Sequence, residues 1–222
     1  SWIALYNVEV IPRYKALLEN ILGNVQSVID REQPGMFLVT GFIFISAPPS
    51  VVPFHIDREN NFWLMLRGRK VMNVWDRTDR VVVPAKTVED YIVAHVARDV
   101  RLKDGFTERS HEFETRPGDG VYFPSTSPHM TRTDPGWAEA GEGVAVSVGV
   151  NFYTSVTRRT APLHQVNRLL RKCGLSPSYP GESPRVDAIK APIGRLVGAT
   201  RWKLTQLRKP EKRGELPPPG SF

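Results

Sequence analysis

His55 and Asp57 stand two residues apart, and His129 lies much further along the chain. Side chains at i and i+2 of an extended strand point to the same side. His55 and Asp57 can therefore grip one ion only if the backbone there is a strand, and His129 must arrive from another strand. Two imidazoles and one carboxylate occupy one face of an octahedral ion and leave the other face open, a donor set that suits non-haem Fe(II). Taken alone, His55 also fits a hydrogen-bonded histidine at a strand end, so the surrounding residues decide.

Pro53-Phe54-His55-Ile56-Asp57 runs into an apolar stretch from Asn61 to Leu66 and, after Gly68, a second from Lys70 to Trp75. Two extended runs joined by a short turn with glycine predict a β-hairpin. With Gly68-Arg69 as a type II′ loop, 67 pairs with 70, 65 with 72 and 63 with 74. Asn61, Trp63, Met65 and Lys70 then share one face, with the parity of the metal pair. A lysine inside a barrel needs an anionic partner, which a bound dicarboxylate would supply.

The region of His129 repeats the logic. Arg116 to Gly120 is a turn cluster, Val121 to Pro124 reads as a short strand, and Ser125 to Pro128 is a loop that delivers His129. Val144 to Tyr153 alternates strictly, with valines and Phe152 on one face and Ala145, Ser147, Gly149, Asn151 and Tyr153 on the other. Small residues ending in an amide and a phenol suit a ligand-filled interior, although an ordinary half-exposed strand has the same alternation.

These motifs together resemble the Jumonji-C, cupin-like oxygenases that use Fe(II) and 2-oxoglutarate, in particular their asparaginyl-hydroxylase-like branch. The resemblance covers about residues 36 to 154. It rests on Pro-Phe-His-Ile-Asp at 53 to 57, Asn61 and Phe62, Leu-Arg-Gly-Arg-Lys at 66 to 70, Arg-Pro-Gly-Asp at 116 to 119, Phe123-Pro124, His129, and Val-Asn-Phe-Tyr at 150 to 153. It implies a mainly β fold, a double-stranded β-helix or jelly roll with flanking helices. It also implies that His55, Asp57 and His129 bind Fe(II), and that Lys70 pairs with the distal carboxylate of 2-oxoglutarate. Asn61 and Asn151 become amides of the co-substrate pocket, bordered by Trp63, Thr131 and Tyr153. The implied reaction consumes dioxygen, converts 2-oxoglutarate to succinate and hydroxylates a C–H bond of a protein side chain, amino acid or small metabolite, with demethylation less expected. Both histidines must be neutral to ligate, so activity is expected to fall at acid pH. One position departs from the family: Val52 stands where a hydroxyl residue often helps hold the carboxylate, and Thr131 or Tyr153 is expected to replace it.

The remaining sequence bounds the setting. With 222 residues, 41% hydrophobic and 24% charged, the chain has enough apolar surface for one principal domain. Cys173 is the single cysteine, which excludes an internal disulfide and points to a reducing cytoplasm. No apolar run spans a membrane and the start is not a signal peptide. Ser1 rather than Met opens the chain, which leaves room for an upstream segment. The net charge of +7 gathers late, from Arg158 to Arg213. Without zinc-finger or aromatic RNA-binding motifs, a solvated face is expected there rather than nucleic-acid binding. His95, His111 and His164 are expected in surface or capping roles, and Cys173 as a small buried residue.

Pro12 opens an amphipathic stripe through Val25, a helix outside the barrel. Met36 to Ser46 reads as a strand. Thr87 is expected to cap a second helix through about Ala97, inside an insertion of about 76–115 at the substrate mouth. Residues 1–154 form the expected barrel domain. Residues 155–210 form a helical region, from Leu163 to Cys173 and Val186 to Leu207, that caps the barrel or builds a homodimer. Residues 211–222, with three prolines, form an expected flexible tail. Two other readings remain: a cupin metalloenzyme without 2-oxoglutarate, which has no use for a buried Lys70, and a non-catalytic metal-binding barrel acting as an interaction module.

Overall fold

The computed structural model describes residues 1–139 and 143–209; the expected tail lies outside them. In chain order the elements are β1 (Trp2–Tyr6), α1 (Pro12–Ile29), β2 (Phe37–Ser46), β3 (Ser50–His55), β4 (Asn60–Arg67), β5 (Lys70–Val74), α2 (Ala85–Ala94), β6 (His111–Thr115), β7 (Gly120–Phe123), β8 (His129–Thr133), α3 (Pro135–Glu139), β9 (Ala145–Tyr153), α4 (Ser155–Lys172) and α5 (Pro184–Arg208). They divide into two compact units: residues 1–83 with 100–152, and residues 84–99 with the chain from 153 onward. The helical stretch 84–99, read from sequence as part of a barrel insertion, therefore belongs with the C-terminal helices. None of the described helices is long and apolar enough to cross a membrane.

The first unit is a double-stranded β-helix. One sheet runs β1-β2-β9-β4-β7 and the other β3-β8-β5-β6. From β3 onward the chain alternates between the two sheets except at β5–β6, and this winding closes a jelly roll. The expected β4–β5 hairpin does not exist: β4 pairs with β7 and β9, and β5 pairs with β6 and β8. Gly68, at a φ of +74°, turns the corner from one sheet to the other. A tight glycine turn serves a corner as well as a hairpin, and only long-range pairing separates them.

Alternation along β9 sorts the layers. Val148, Val150 and Phe152 pack with Leu18, Leu22 and Ile29 of α1 on the outer face of the five-stranded sheet. The opposite face looks into the barrel, where Phe42, Trp63, Met65, Met72, Val121 and Phe123 from both sheets form the inner core. Gly149 sits on that inner face because the ring of Phe42 occupies the space of its missing side chain; a Cβ there would lie 1.8 Å from Phe42 Cζ.

In the second unit, α2 begins after Pro84, with Thr87 inside the helix, and ends at His95 in the left-handed region. α4 starts two turns earlier than expected because Thr154 and Thr157 form a reciprocal cap. Pro162 lies within α4, and this breaker hid the helix's first turns in the sequence. His164 is buried against Tyr179 rather than exposed, and Cys173 is exposed rather than buried. Arg171 and Arg168 of α4 pair with Glu89 and Asp90 of α2.

Gly149→Ala is expected to destabilise the barrel by about 1–3 kcal/mol through overpacking. Adding Phe42→Leu should recover much of that loss, since the two positions contend for one space. Denaturant unfolding of the single and double variants checks both.

Candidate active site

β3 and β8 pair antiparallel, Val52 opposite Thr131 and His55 opposite His129, with a one-residue shift of register between them. Asp57 follows just beyond β3, and its loop is fastened to the loop before β8. The Thr126 amide donates to the Asp57 carbonyl at 2.8 Å, and the Ser125 hydroxyl donates to the Arg58 carbonyl at 2.8 Å. The side-chain carbonyl of Asn60 accepts from the Ser125 amide and the Tyr122 hydroxyl. Asn60, Ser125 and Thr126 are positioning residues that the sequence reading missed, because their contacts span more than sixty residues.

The three ligand side chains converge: their donor atoms all lie within 4.8 Å of one another. Asp57 Oδ2 is 3.4 Å from His129 Nε2 and 3.9 Å from His55 Nε2. Neighbouring donors around an octahedral ion, each about 2.1 Å from the metal, sit about 3 Å apart. Closing the difference takes a few tenths of an ångström for one pair and under one for the other.

Tautomer geometry favours ligation too. His55 Nδ1 lies 2.8 Å from the Pro53 carbonyl and His129 Nδ1 lies 3.0 Å from that of Ser127. A carbonyl only accepts, so Nδ1 carries the proton and Nε2 keeps its lone pair for a metal. Burial, with the neighbouring His129, pushes His55 below the ordinary histidine range and towards its neutral form. For Asp57, burial works upward, but contact with His129 and the charges of both imidazoles outweigh it and hold the carboxyl low. Burial thus favours a neutral His55 beside an ionised Asp57, and both imidazoles turn Nε2 toward that carboxylate.

These residues open on a cavity of about 210 Å³ inside the barrel, whose wall also includes Asn61, Trp63, Lys70, Thr131 and Asn151. Every residue assigned to the pocket from sequence reaches this wall except Tyr153, which is buried at the end of β9 and belongs to the second unit. Asn61 Nδ2 donates to Asn151 Oδ1 at 2.7 Å, joining the two amides across β4 and β9. Val52 lines the cavity directly opposite Thr131, so a hydroxyl is present on the adjacent strand where the usual one is lacking. Tyr6, Phe42 and Phe44 also line it. Aromatic residues distant in sequence read as core, and nothing local marked these three for the site.

Lys70 is 2% exposed, and among the described residues no carboxylate pairs with it; its Nζ lies 5.5 Å from the centre of the Phe44 ring. Burial lowers the ammonium to about 8. An unpaired buried cation is costly, and beside it the buried Asn61 Oδ1 has no protein partner. Both observations fit a cavity made to hold a polar, anionic guest next to a metal.

A profile of the JmjC domain matches residues 24–157. The chain belongs to the JmjC family. At the level of the family, this JmjC site is that of a 2-oxoglutarate-type oxygenase. Among solved structures, the chain is similar to YcfD, a ribosomal oxygenase from Escherichia coli, at 16% identity and a TM-score of 0.44, covering 88% of this chain and 46% of that one. A cupin superfamily protein from Desulfitobacterium hafniense aligns at 12% identity and a TM-score of 0.32 over 58% of this chain and 87% of that one. The JmjC chain thus spans less than half the length of the ribosomal oxygenase. No curated protein matches it.

Lys70 generates a signed expectation. Its folded value of about 8 lies below the ordinary 10.5, so the buried charge is a full cost below pH 8, and stability rises as pH climbs from about 8 to 10.5. Lys70→Met should stabilise the ligand-free protein by about 1–3 kcal/mol, read by thermal unfolding at pH 7. Dicarboxylate affinity in the wild type should weaken about tenfold per pH unit above 8 as the ammonium is lost, read by calorimetry.

Proposed function

We propose that this chain is an Fe(II)- and 2-oxoglutarate-dependent dioxygenase that hydroxylates a C–H bond of a protein side chain, amino acid or small metabolite. The observation that carries the reading is one cavity holding both the convergent His55, Asp57 and His129 donors and the isolated ammonium of Lys70. A cupin without the co-substrate, or a metal-binding module, has no use for that buried charge. Iron with bound 2-oxoglutarate supplies the oxygen-activating chemistry, and the protein supplies position and dryness.

Each residue then has a task. His55 and His129 present Nε2, fixed in orientation by the Pro53 and Ser127 carbonyls. Asp57 supplies the anionic donor and balances charge. Lys70 holds the far carboxylate by a charge-assisted hydrogen bond, with the Thr131 hydroxyl within the same wall. Asn61 and Asn151 offer amide groups along the cavity, while Trp63, Met72 and Phe123 exclude water beside them.

Adding Fe(II) and 2-oxoglutarate to the protein without oxygen is expected to produce the visible charge-transfer band of a chelated keto acid. Lys70→Ala should weaken co-substrate binding by at least tenfold, and His129→Ala should abolish the band. Absence of the band in the wild type would falsify the assignment.

We further infer self-association through α5. Its exposed Val186, Ile189, Ile193 and Leu196 recur at alternating spacings of three and four, a seam left uncovered among the described residues and β-branched at three of its four positions. Arg185 and Lys203 flank the seam, so the dimer should tighten with added salt as their repulsion is screened. Sedimentation at rising protein concentration is expected to show a dimer that Leu196→Asp converts to monomer.

A further inference from the structure

Among the described residues, β1 ends the five-stranded sheet and pairs with β2 alone. Its sequence, Trp2-Ile3-Ala4-Leu5-Tyr6, has no charge and no proline, and Trp2, Ile3, Leu5 and Tyr6 are all exposed. Edges of this kind are normally blunted by lysine, proline, a bulge or a covering element, because unpaired amides and carbonyls recruit another strand. None of those devices is present within β1.

The direction of the unpaired groups follows from the ladder. Ser1 and Ala47 exchange two hydrogen bonds: the Ala47 amide donates to the Ser1 carbonyl at 2.9 Å and the Ser1 amino group donates to the Ala47 carbonyl at 3.2 Å. Hydrogen-bonded pairs alternate along an antiparallel ladder. In this register Ile3 with Ile45 and Leu5 with Ile43 are the next such pairs. The N–H and C=O groups of Trp2, Ala4 and Tyr6 therefore point away from the sheet.

The same three residues carry the side chains of the inner face. Tyr6 lies opposite Phe42 and Ala4 opposite Phe44. Trp2 and Phe44 have ring centroids 5.5 Å apart, Tyr6 and Phe42 6.4 Å, and Phe42 and Phe44 5.1 Å. Tyr6, Phe42 and Phe44 also line the metal cavity. One aromatic surface thus runs without a break from the free edge to the site of chemistry.

We propose that the β1 edge binds the substrate as an extended polypeptide segment that adds a strand beside Trp2, Ala4 and Tyr6 and turns one side chain into the cavity. This rests on the oxygenase reading above and narrows it, from any C–H substrate to a peptide. Outward amides and carbonyls at every second residue match the repeat of a peptide backbone, which a small metabolite lacks. The aromatic face favours apolar or flat side chains flanking the modified residue.

The test uses the full chain loaded with Fe(II) and supplied with 2-oxoglutarate and dioxygen, and a library of ten-residue peptides blocked at both ends, each offered as parent and as a form N-methylated on alternate backbone amides. Succinate formed without peptide reads the iron apparatus alone. Ala4→Pro removes one outward N–H and leaves the bonds to β2 in place, since proline is tolerated where the N–H faces solvent. Parent peptides are expected to stimulate succinate formation and gain one oxygen. Both effects should fall at least tenfold for N-methylated peptides, or with Ala4→Pro, while peptide-free succinate stays within twofold. Amide exchange gives a readout independent of turnover: with library peptides, the N–H groups of Ala4 and Tyr6 slow and that of Leu5 does not change. The N-methylated arm keeps the test valid if Ala4→Pro fails to fold. Equal stimulation by parent and N-methylated peptides, equal turnover of free amino acids, or no slowing at Ala4 and Tyr6 overturns the proposal. So does self-association abolished by Ala4→Pro, which makes the edge a contact between copies. Slowed exchange without any succinate from the wild type overturns the oxygenase reading instead and leaves strand addition standing.

Discussion

A one-residue shift of register between β3 and β8 governs the rest of the site. Up to Val52 and Thr131 the two strands pair in one register; by His55 and His129 they pair in the next. Without that bulge His55 would lie one place out of step, and in a strand one place reverses the face a side chain occupies. Bulges beside active sites re-aim side chains in this way. The hydrogen bonds from Thr126 and Ser125 to the backbone of Asp57 and Arg58 then hold the loop that follows. Three ligands at two strand ends are thus fastened to one another, and the accepting carbonyls of Pro53 and Ser127 fix which nitrogen each imidazole offers.

Lys70 shows what the fold gives up for its cavity. Its ammonium lies 5.5 Å from the Phe44 ring in a cavity whose wall also includes Val52 and Met72, and burial drags it down to about 8. A methionine there would be the more stabilising choice. A buried charge with no carboxylate partner among the described residues lowers stability until a guest completes the pair, which points to a role in binding rather than in folding. The Val52 position makes the same point from the other side. Removing a hydroxyl makes the wall more apolar and leaves the lysine as its main anionic anchor, with Thr131 across the ladder as the nearest hydroxyl on β8.

Local pattern carried much of this into the sequence. The i, i+2 spacing of His55 and Asp57, the alternation of 144 to 153 and the shared parity of Asn61 and Trp63 are strand properties, legible without knowing any partner strand, whereas Lys70 was placed on their face only through a hairpin register that the fold does not use. The mistaken hairpin at Gly68 shows the limit. A positive-φ glycine between two apolar runs specifies a reversal, and whether the reversal stays in one sheet or crosses to the other depends on β6 to β9, far along the chain. Tyr6, Phe42 and Phe44 were hidden for the same reason, since their approach to the cavity is a product of β1–β2–β9 pairing. Tyr153 shared the parity of Asn151, but alternation alone says nothing of where the strand leaves the barrel. In α4, the Thr154 cap and Pro162 competed as signals, and the cap with its packing won.

The chemistry and the selectivity of this cavity are therefore written in different parts of the chain. The ligands, the carbonyls that orient them and the lysine lie on β3, β5 and β8 or in the loops adjoining β3 and β8, where one register error would re-aim the donors. Tyr6, Phe42 and Phe44 of the aromatic wall come from β1 and β2, which contribute no ligand; changes there alter what can approach without touching the metal ligands. Gly149 joins the two parts, because its missing side chain lets Phe42 close over the interior beside Asn151. A substitution at Gly149 would push Phe42 outward and reshape the wall shared by the cavity and the β1 edge. Fold stability and substrate choice thus meet at that one glycine, while the metal ligands lie on or beside strands of the other sheet.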